Sequence, residues 1–391
     1  MKTFPLIMFA VMTTAVCPAA EAPKRVRNAV HGIVCSLPAE KLGYFGWPSI
    51  AKQSDGTICV VASGLRRGHV CPWGRTTICK SKDNGRTWTA PQVINNTPMD
   101  DRDAGIVSLG GQRLAVTWFT SNTRYLMSGE RRADGTWKDA ETGRILEAWT
   151  AKAIAKYSAS WIRISEDGDY WGEMRKAPIS SPHGFIVLKD KSWLYFGKEW
   201  KFSGGGLDMY IRGDTPICAA RSTDEGRTWK MLGAVPLREG VRYSQCHEAH
   251  AIELTNGDLL GAIRVENPFR ICLSRSSDGG KTWSVLEETG CAGSPPHLLR
   301  HSSGAIVCVY GYRAAGYGQR CMISYDDGKT WVKDIIIRDD GPDWDLGYPA
   351  SVELNDGSIL TVYYQHLPGQ KHASILWSRW SLPRRRKFRK P

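Results

Sequence analysis

Little in this sequence is long, apolar and uninterrupted. Beyond a run from Phe4 to Val16, no stretch is hydrophobic over the length that a membrane-spanning helix needs, so no membrane span is predicted in the rest of the chain. The run itself follows Met1-Lys2, is too short to cross a bilayer and ends in Pro18-Ala19-Ala20-Glu21-Ala22. It predicts a secretory signal over residues 1–22 and an exported protein, periplasmic or extracellular. The sequence has no C-x-x-C pair and no histidine cluster at zinc-ligand spacing, so neither a metal nor a cofactor is expected. Cys59, Cys79, Cys272, Cys308 and Cys321 sit in apolar, β-rich runs, where a thiol behaves as a small hydrophobe, and export leaves disulfides open. No linker rich in Pro, Gly or Ser divides the chain, which predicts one domain over residues 23–381. Excess charge is also scarce away from the ends. Of the formal +13, six charges lie among residues 384–390 and four on Lys2, Lys24, Arg25 and Arg27, leaving three on everything between. That gives no basis for a nucleic-acid partner, and residues 382–391 read as a solvated basic tail.

What the sequence does have is repetition. The pattern S-x-D-x-G-x-T-W occurs at Ser81–Trp88, Ser222–Trp229, Ser276–Trp283 and Ser324–Trp331, with a shortened copy at Ser165–Trp171. Its chemistry is that of a turn: the Asp carboxylate accepts backbone N–H bonds, the Gly takes a positive φ, and the Trp packs beneath. Recurrence in successive units argues for a brace and against catalysis there. A second repeat, strand–polar turn–strand, occurs at Trp47–Ser63, Ala104–Phe119, Pro182–Gly197, Ala249–Arg264, Pro295–Arg313 and Pro349–Gln365. Six such units predict an all-β fold, a six-bladed β-propeller of four-stranded antiparallel blades. The stretch from Ser121 to Tyr157 is an insert whose Ala140–Ala155 portion lacks strand alternation and predicts a short helix. Ring closure should pair Ser374–Trp380 with Val30–Ser36, because an open ring leaves two unpaired edges.

In a propeller the inner strands of all blades converge on one axis, so residues at the same end of each repeat face a common funnel. At the starts of the first strands stand Asp101 and Asp103, His183, Glu248, His297 and Tyr348. At the ends of the second strands stand Arg66 and Arg67, with His69 just beyond, then Lys198, Arg264, Arg313 and Gln365.

The boxes and the last three units resemble those of sialidases (neuraminidases), over essentially the whole mature chain. That family's E-then-R pair matches Glu248 and Arg264 in HEAHAIELTNGDLLGAIR, its later arginine matches Arg313 in VYGYRAAGYGQR, and its nucleophilic tyrosine matches Tyr348 in DLGYPASVELNDG. The resemblance implies an exo-glycoside hydrolase acting as a monomer on an acidic glycan. Arg264 and Arg313 would clamp the carboxylate, since a guanidinium binds a planar carboxylate through parallel hydrogen bonds. Tyr348 would attack, with Glu248 as its base, because a carboxylate nucleophile is repelled by a substrate carboxylate on the anomeric carbon.

Two positions depart from the family. Where its first blade carries an arginine before a proline, this chain reads Phe45-Gly46-Trp47-Pro48, so Arg66 or Arg67 is expected to supply the missing cation. The loop that should hold an aspartic acid/base reads Arg66 to Gly74 with no carboxylate, leaving His69 or Asp103 for that role. His183 is a further candidate for substrate contact. Two other readings stay open: a hydrolase or lyase of uronic-acid polysaccharides using a His/Tyr pair, and a carbohydrate-binding propeller without turnover.

Overall fold

The computed structural model describes residues 24–124, 126–200 and 213–383. The expected signal at 1–22 and the basic run at 384–391 lie outside the described residues. The described chain forms six antiparallel sheets; five of them have four strands, and in four of these the strands are hydrogen-bonded in sequence from the axis outward. Blade 1 runs Tyr44–Lys52, Ile58–Arg66, Arg75–Ser81 and Gln92–Asn95; blade 2 runs Asp100–Gly110, Arg113–Ser121, Ser160–Ser165 and Arg175–Ala177. In blade 3 the inner strand is split into Ile179–Ser180 and Ile186–Val187, both paired with Trp193–Glu199, followed by Ile217–Ser222 and Lys230–Ala234. Blades 4 and 5 open on Cys246–Glu253 and Ser294–Arg300. Blade 6 opens on Gly347–Glu353 and is completed by Arg27–Cys35 from the other end of the chain.

That last strand closes the ring as expected, with Val30 opposite Arg379 and Cys35 opposite Ile375. The core is correspondingly six slabs, one between each pair of neighbouring blades. Ile50, Val60, Val362 and Tyr364 fill the slab between blades 6 and 1, and Phe196, Leu194, Ala249 and Ile263 that between blades 3 and 4. This distribution is what the alternating strands require, since each sheet has a neighbour on both faces and must be apolar on both.

The Ser/Asp boxes brace the turns after the third strands. In the first, Asp83 accepts from Arg86 N (3.0 Å), Thr87 N (2.9 Å) and Thr87 Oγ1 (2.6 Å), while Trp88 Nε1 donates to Gly85 O. Gly85 has φ +83, and a Cβ there would lie 3.1 Å from Leu360 of the preceding blade; the box thus tightens its own turn and abuts that neighbouring sheet. The boxes at Asp278 and Asp326 repeat this arrangement, with Gly280 and Gly328 against Leu194 and Leu260 of the blade before.

The insert leaves blade 2 between its second and third strands. Instead of one helix it forms two, α1 (Ala140–Ala148) and α2 (Ala151–Tyr157). The break comes at Trp149-Thr150: Thr150 caps α2 through Ala153 N (3.1 Å), and Trp149 turns inward, donating to Pro98 O (2.8 Å). Trp149, Leu146, Ile154, Trp137, Met127 and Met99 make a small core that fixes the insert beside the funnel.

Candidate functional site

The inner strands of four blades carry a bulge at the same place. Trp47, Asp103, Glu248 and Tyr348 have φ of 52°, 50°, 46° and 51°, and each sits at a register shift against the second strand. A left-handed residue without glycine is disfavoured by about 1–3 kcal/mol, a cost met where the surrounding sheet over-determines it. The bulge inserts one residue and re-aims its side chain toward the axis. Each of the four precedes a Pro or an Ala, in Trp47-Pro48, Asp103-Ala104, Glu248-Ala249 and Tyr348-Pro349. That recurrence is a signal the sequence carried, and it finds Trp47, which motif reasoning passed over.

The four side chains line one cavity of about 290 Å³, together with His69, Arg102, His247, Arg264, Glu266 and Arg313. Phe269 and Trp344, both substantially exposed, form its rim. At its floor Tyr348 OH donates to Glu248 Oε1, and Arg264 lies against both, bonding Glu248 Oε2 and standing 3.3 Å from the Tyr348 oxygen. Arg264 also pairs with Glu266, so its guanidinium is held from two sides. Arg313 is fixed by its Nε on Leu346 O (3.0 Å), with its Cζ 5.7 Å from the Tyr348 ring centroid.

Burial alone would raise the Glu248 carboxyl, yet the Arg264 cation and the Tyr348 hydrogen bond outweigh it and hold it below its ordinary value. Tyr348 is pushed up, by burial first and by the Glu248 and Asp103 charges next, with Arg264 and Arg313 opposing. The pair is therefore a proton-bearing phenol beside an ionised acceptor. Asp103 is raised to about 7 by burial and by Glu248. On the other side of the cavity, His69 Nδ1 lies 2.8 Å from Asp345 Oδ1, and the His69 ring meets Trp47 edge-on at 5.0 Å. Burial lowers the His69 pKa, and Asp345 offsets only part of that.

Six of the nine residues singled out from the sequence thus meet in one place: Tyr348, Glu248, His69, Asp103, Arg264 and Arg313. The other three lie elsewhere. Arg66 is wholly buried behind Trp47, ion-paired with Asp100 (2.5 Å), so it braces the wall without lining it. Arg67 points outward, pairs with Asp139 and Glu141 at the start of α1 and covers Trp73. His183 is buried with His250 and His297, its ring centroid 5.7 and 4.9 Å from theirs, and it is not a cavity wall. Asp101 is spent on Thr97, Asn95 and Thr120. Neither Arg66 nor Arg67 lines the cavity, whereas Arg102 does, stacked 4.4 Å over Trp47 and tied to Asp100 (3.1 Å). Asp100 is local to Arg102, but the ring it stacks on and the carbonyl it bonds, Trp47 and His69, come from blade 1, so its place on the wall is not marked locally in the sequence. Among the described residues, no group of three or more His, Cys, Asp or Glu side chains is placed to hold a metal ion, and no helix is long and apolar enough to cross a membrane.

Comparison with known proteins agrees with this architecture. The BNR repeat-like domain family matches residues 143–362. A sialidase of Paraclostridium sordellii is 23% identical over 354 residues, 82% of this chain and 81% of that protein. Among solved structures, a protein of unknown function from Dyadobacter fermentans superposes with a TM-score of 0.71 at 23% identity, covering 93% of this chain and 100% of that one. The intramolecular trans-sialidase of Ruminococcus gnavus gives 0.61 at 15% identity, covering 90% and 97%. Because the family match takes in more than half of the chain, the chain belongs to the BNR repeat-like domain family, with a propeller fold similar to that of the sialidase structures.

Proposed function

We propose that the protein is an exported glycoside hydrolase that releases a terminal acidic sugar, with Tyr348 as nucleophile. The observation that carries this reading is the Tyr348–Glu248 hydrogen bond, set against Arg264 at the floor of the cavity. Glu248 is ionised and takes the phenolic proton as the oxygen attacks the anomeric carbon, while Arg264 and Arg313 stabilise the phenolate that develops. A substrate carboxylate on that carbon finds Arg264, Arg313 and Arg102 on the same walls, and guanidinium groups suit a planar anion. A neutral phenol approaches such a centre without the repulsion that a carboxylate would meet.

Release of a chromophore from an aryl sialoside tests the reading. Wild type should turn it over, and Tyr348→Phe and Glu248→Gln should each lose about 10²–10⁴-fold in kcat; a wild type inert on sialosides removes the sialic acid assignment. One observation favours a second reading. Gly46 stands at the position of the first-blade arginine, while His69 and Tyr348 line the same cavity. A His/Tyr pair beside guanidinium groups also suits a hydrolase or lyase of uronic-acid polysaccharide. A lyase product carries a new C=C bond that absorbs in the ultraviolet, which a hydrolase product lacks.

A further inference from the structure

We propose that His69 is the acid/base of this site and that Asp345 is its positioning residue, a carboxylate that fixes which imidazole nitrogen faces the cavity. The inference rests on the glycosidase reading above and adds to it a proton donor that is not a carboxylic acid.

The geometry is that of a clamped imidazole. Asp345 Oδ1 lies 2.8 Å from His69 Nδ1, and the same carboxylate accepts from Tyr44 OH (3.0 Å to Oδ2) and Tyr364 OH (3.0 Å to Oδ1). An ionised carboxylate only accepts, so Nδ1 must carry the hydrogen and Nε2 is left for the cavity. Asp345 does stay ionised: burial works against it, but His69 and the two tyrosines outweigh burial and hold it at about 2. Asp345, Tyr44 and Tyr364 lie behind the cavity wall and His69 lies on it. The ring is set in place by Trp47 at 5.0 Å and Trp344 at 5.9 Å. The charged groups around His69 come from every neighbouring element. Arg66 and Arg102 donate to its carbonyl, Arg102 and Arg313 disfavour its cation, and Asp345 favours it. Asp103, the rival for this role, lines the same cavity, and its charge interacts with those of Glu248 and Tyr348.

The protons balance through both halves of the reaction. In the first, the His69 imidazolium gives its Nε2 proton to the glycosidic oxygen as the C–O bond breaks. The Tyr348 oxygen bonds to the anomeric carbon, and its own proton passes to Glu248. His69 is then the neutral Nδ1–H tautomer, still bonded to Asp345. In the second half, Nε2 takes a proton from water as the water oxygen attacks that carbon, the bond to Tyr348 breaks, and Glu248 returns the proton to the phenolate.

Two measurements test this. The first is kcat/KM on aryl sialosides whose leaving groups run from good to poor, across pH. His69→Ala should lose about 10²–10⁴-fold on poor leaving groups and far less on the best ones, which leave without a proton. Asp345→Asn should show the same pattern more weakly. Its alkaline limb should move to lower pH, because the anion that favours the His69 cation is gone. Equal losses across the series, or an alkaline limb that does not move, would overturn the assignment. The second is the long-range ¹H–¹⁵N spectrum of the histidine side chains at a pH where His69 is neutral. Wild type should show Nδ1–H for His69, and Asp345→Asn should lose that preference. An Nε2–H tautomer in wild type contradicts the clamp without any variant having to fold. If wild type turns over no sialoside, the substrate reading above is what fails, and the clamp stands or falls on the tautomer.

Discussion

Some side chains of the cavity are held by partners on their own strand or hairpin and others by partners from distant blades, and this decides which of them were legible in the sequence. Glu248 and Arg264 stand sixteen apart on one hairpin, so strand pairing alone brings them together. Tyr44 and Asp345 are 301 residues apart, and Arg102 rests on Trp47 across a blade boundary. Contacts of that kind leave no local mark, which is why Asp345 and the stacking of Arg102 were missed and Arg66 and Arg67 were expected in a place they do not occupy; His247 and Glu266 flank Glu248 and Arg264 on one hairpin and were passed over although their place is local. Asp103 gives a prediction at this scale. Its folded pKa is raised to about 7 against about 3.9 in an unfolded chain. Its contribution to stability is therefore intact below about pH 4 and is lost as pH rises through 7. Asp103→Asn should raise the Tm relative to wild type more at pH 8 than at pH 5 in paired calorimetric scans. An equal change at both values would mean the carboxyl titrates normally.

At the level of the element, two devices recur: the inner-strand bulge that aims a residue into the funnel, and the Ser/Asp box that pins each outer turn. The box was readable because all of its hydrogen bonds fall within seven residues, as the Asp278 copy shows with Lys281 N at 3.0 Å and Thr282 N at 2.9 Å. The bulge was half readable, as a residue before Ala or Pro, while its left-handed φ became evident only from the register of the neighbouring strand. The insert showed its absence of strand pattern, but the cap at Thr150 that divides it into α1 and α2 depends on where Trp149 packs. The boxes lie away from the cavity, so Asp278→Ala should lower the Tm while leaving kcat/KM per folded molecule unchanged. Thermal unfolding and active-site titration of one preparation check both halves; a loss of kcat/KM without a change in Tm would give the box a catalytic part that its geometry does not support.

For the whole molecule, the ring is what turns six similar hairpins into one site. Blade 6 takes its outer strand from Arg27–Cys35, so the first and last described strands close the wheel and fix Tyr348 opposite Asp103 and Glu248 around one axis. The number of blades and the closing pair were both legible, since strand periodicity and the need to cover two edges follow from the backbone. The substrate was not, because it depends on how guanidinium groups from blades 2, 4 and 5 are arranged around one cavity in a chain that has Gly46 at the position of the expected first-blade arginine. The most direct measurement is therefore covalent. A glycosyl fluoride of the acidic sugar, with a second fluorine beside the anomeric carbon to slow turnover, should leave the protein heavier by one sugar residue, with the added mass on the peptide that contains Tyr348 and absent in Tyr348→Phe. Label on any other residue, or turnover with inversion and no adduct, would contradict the account.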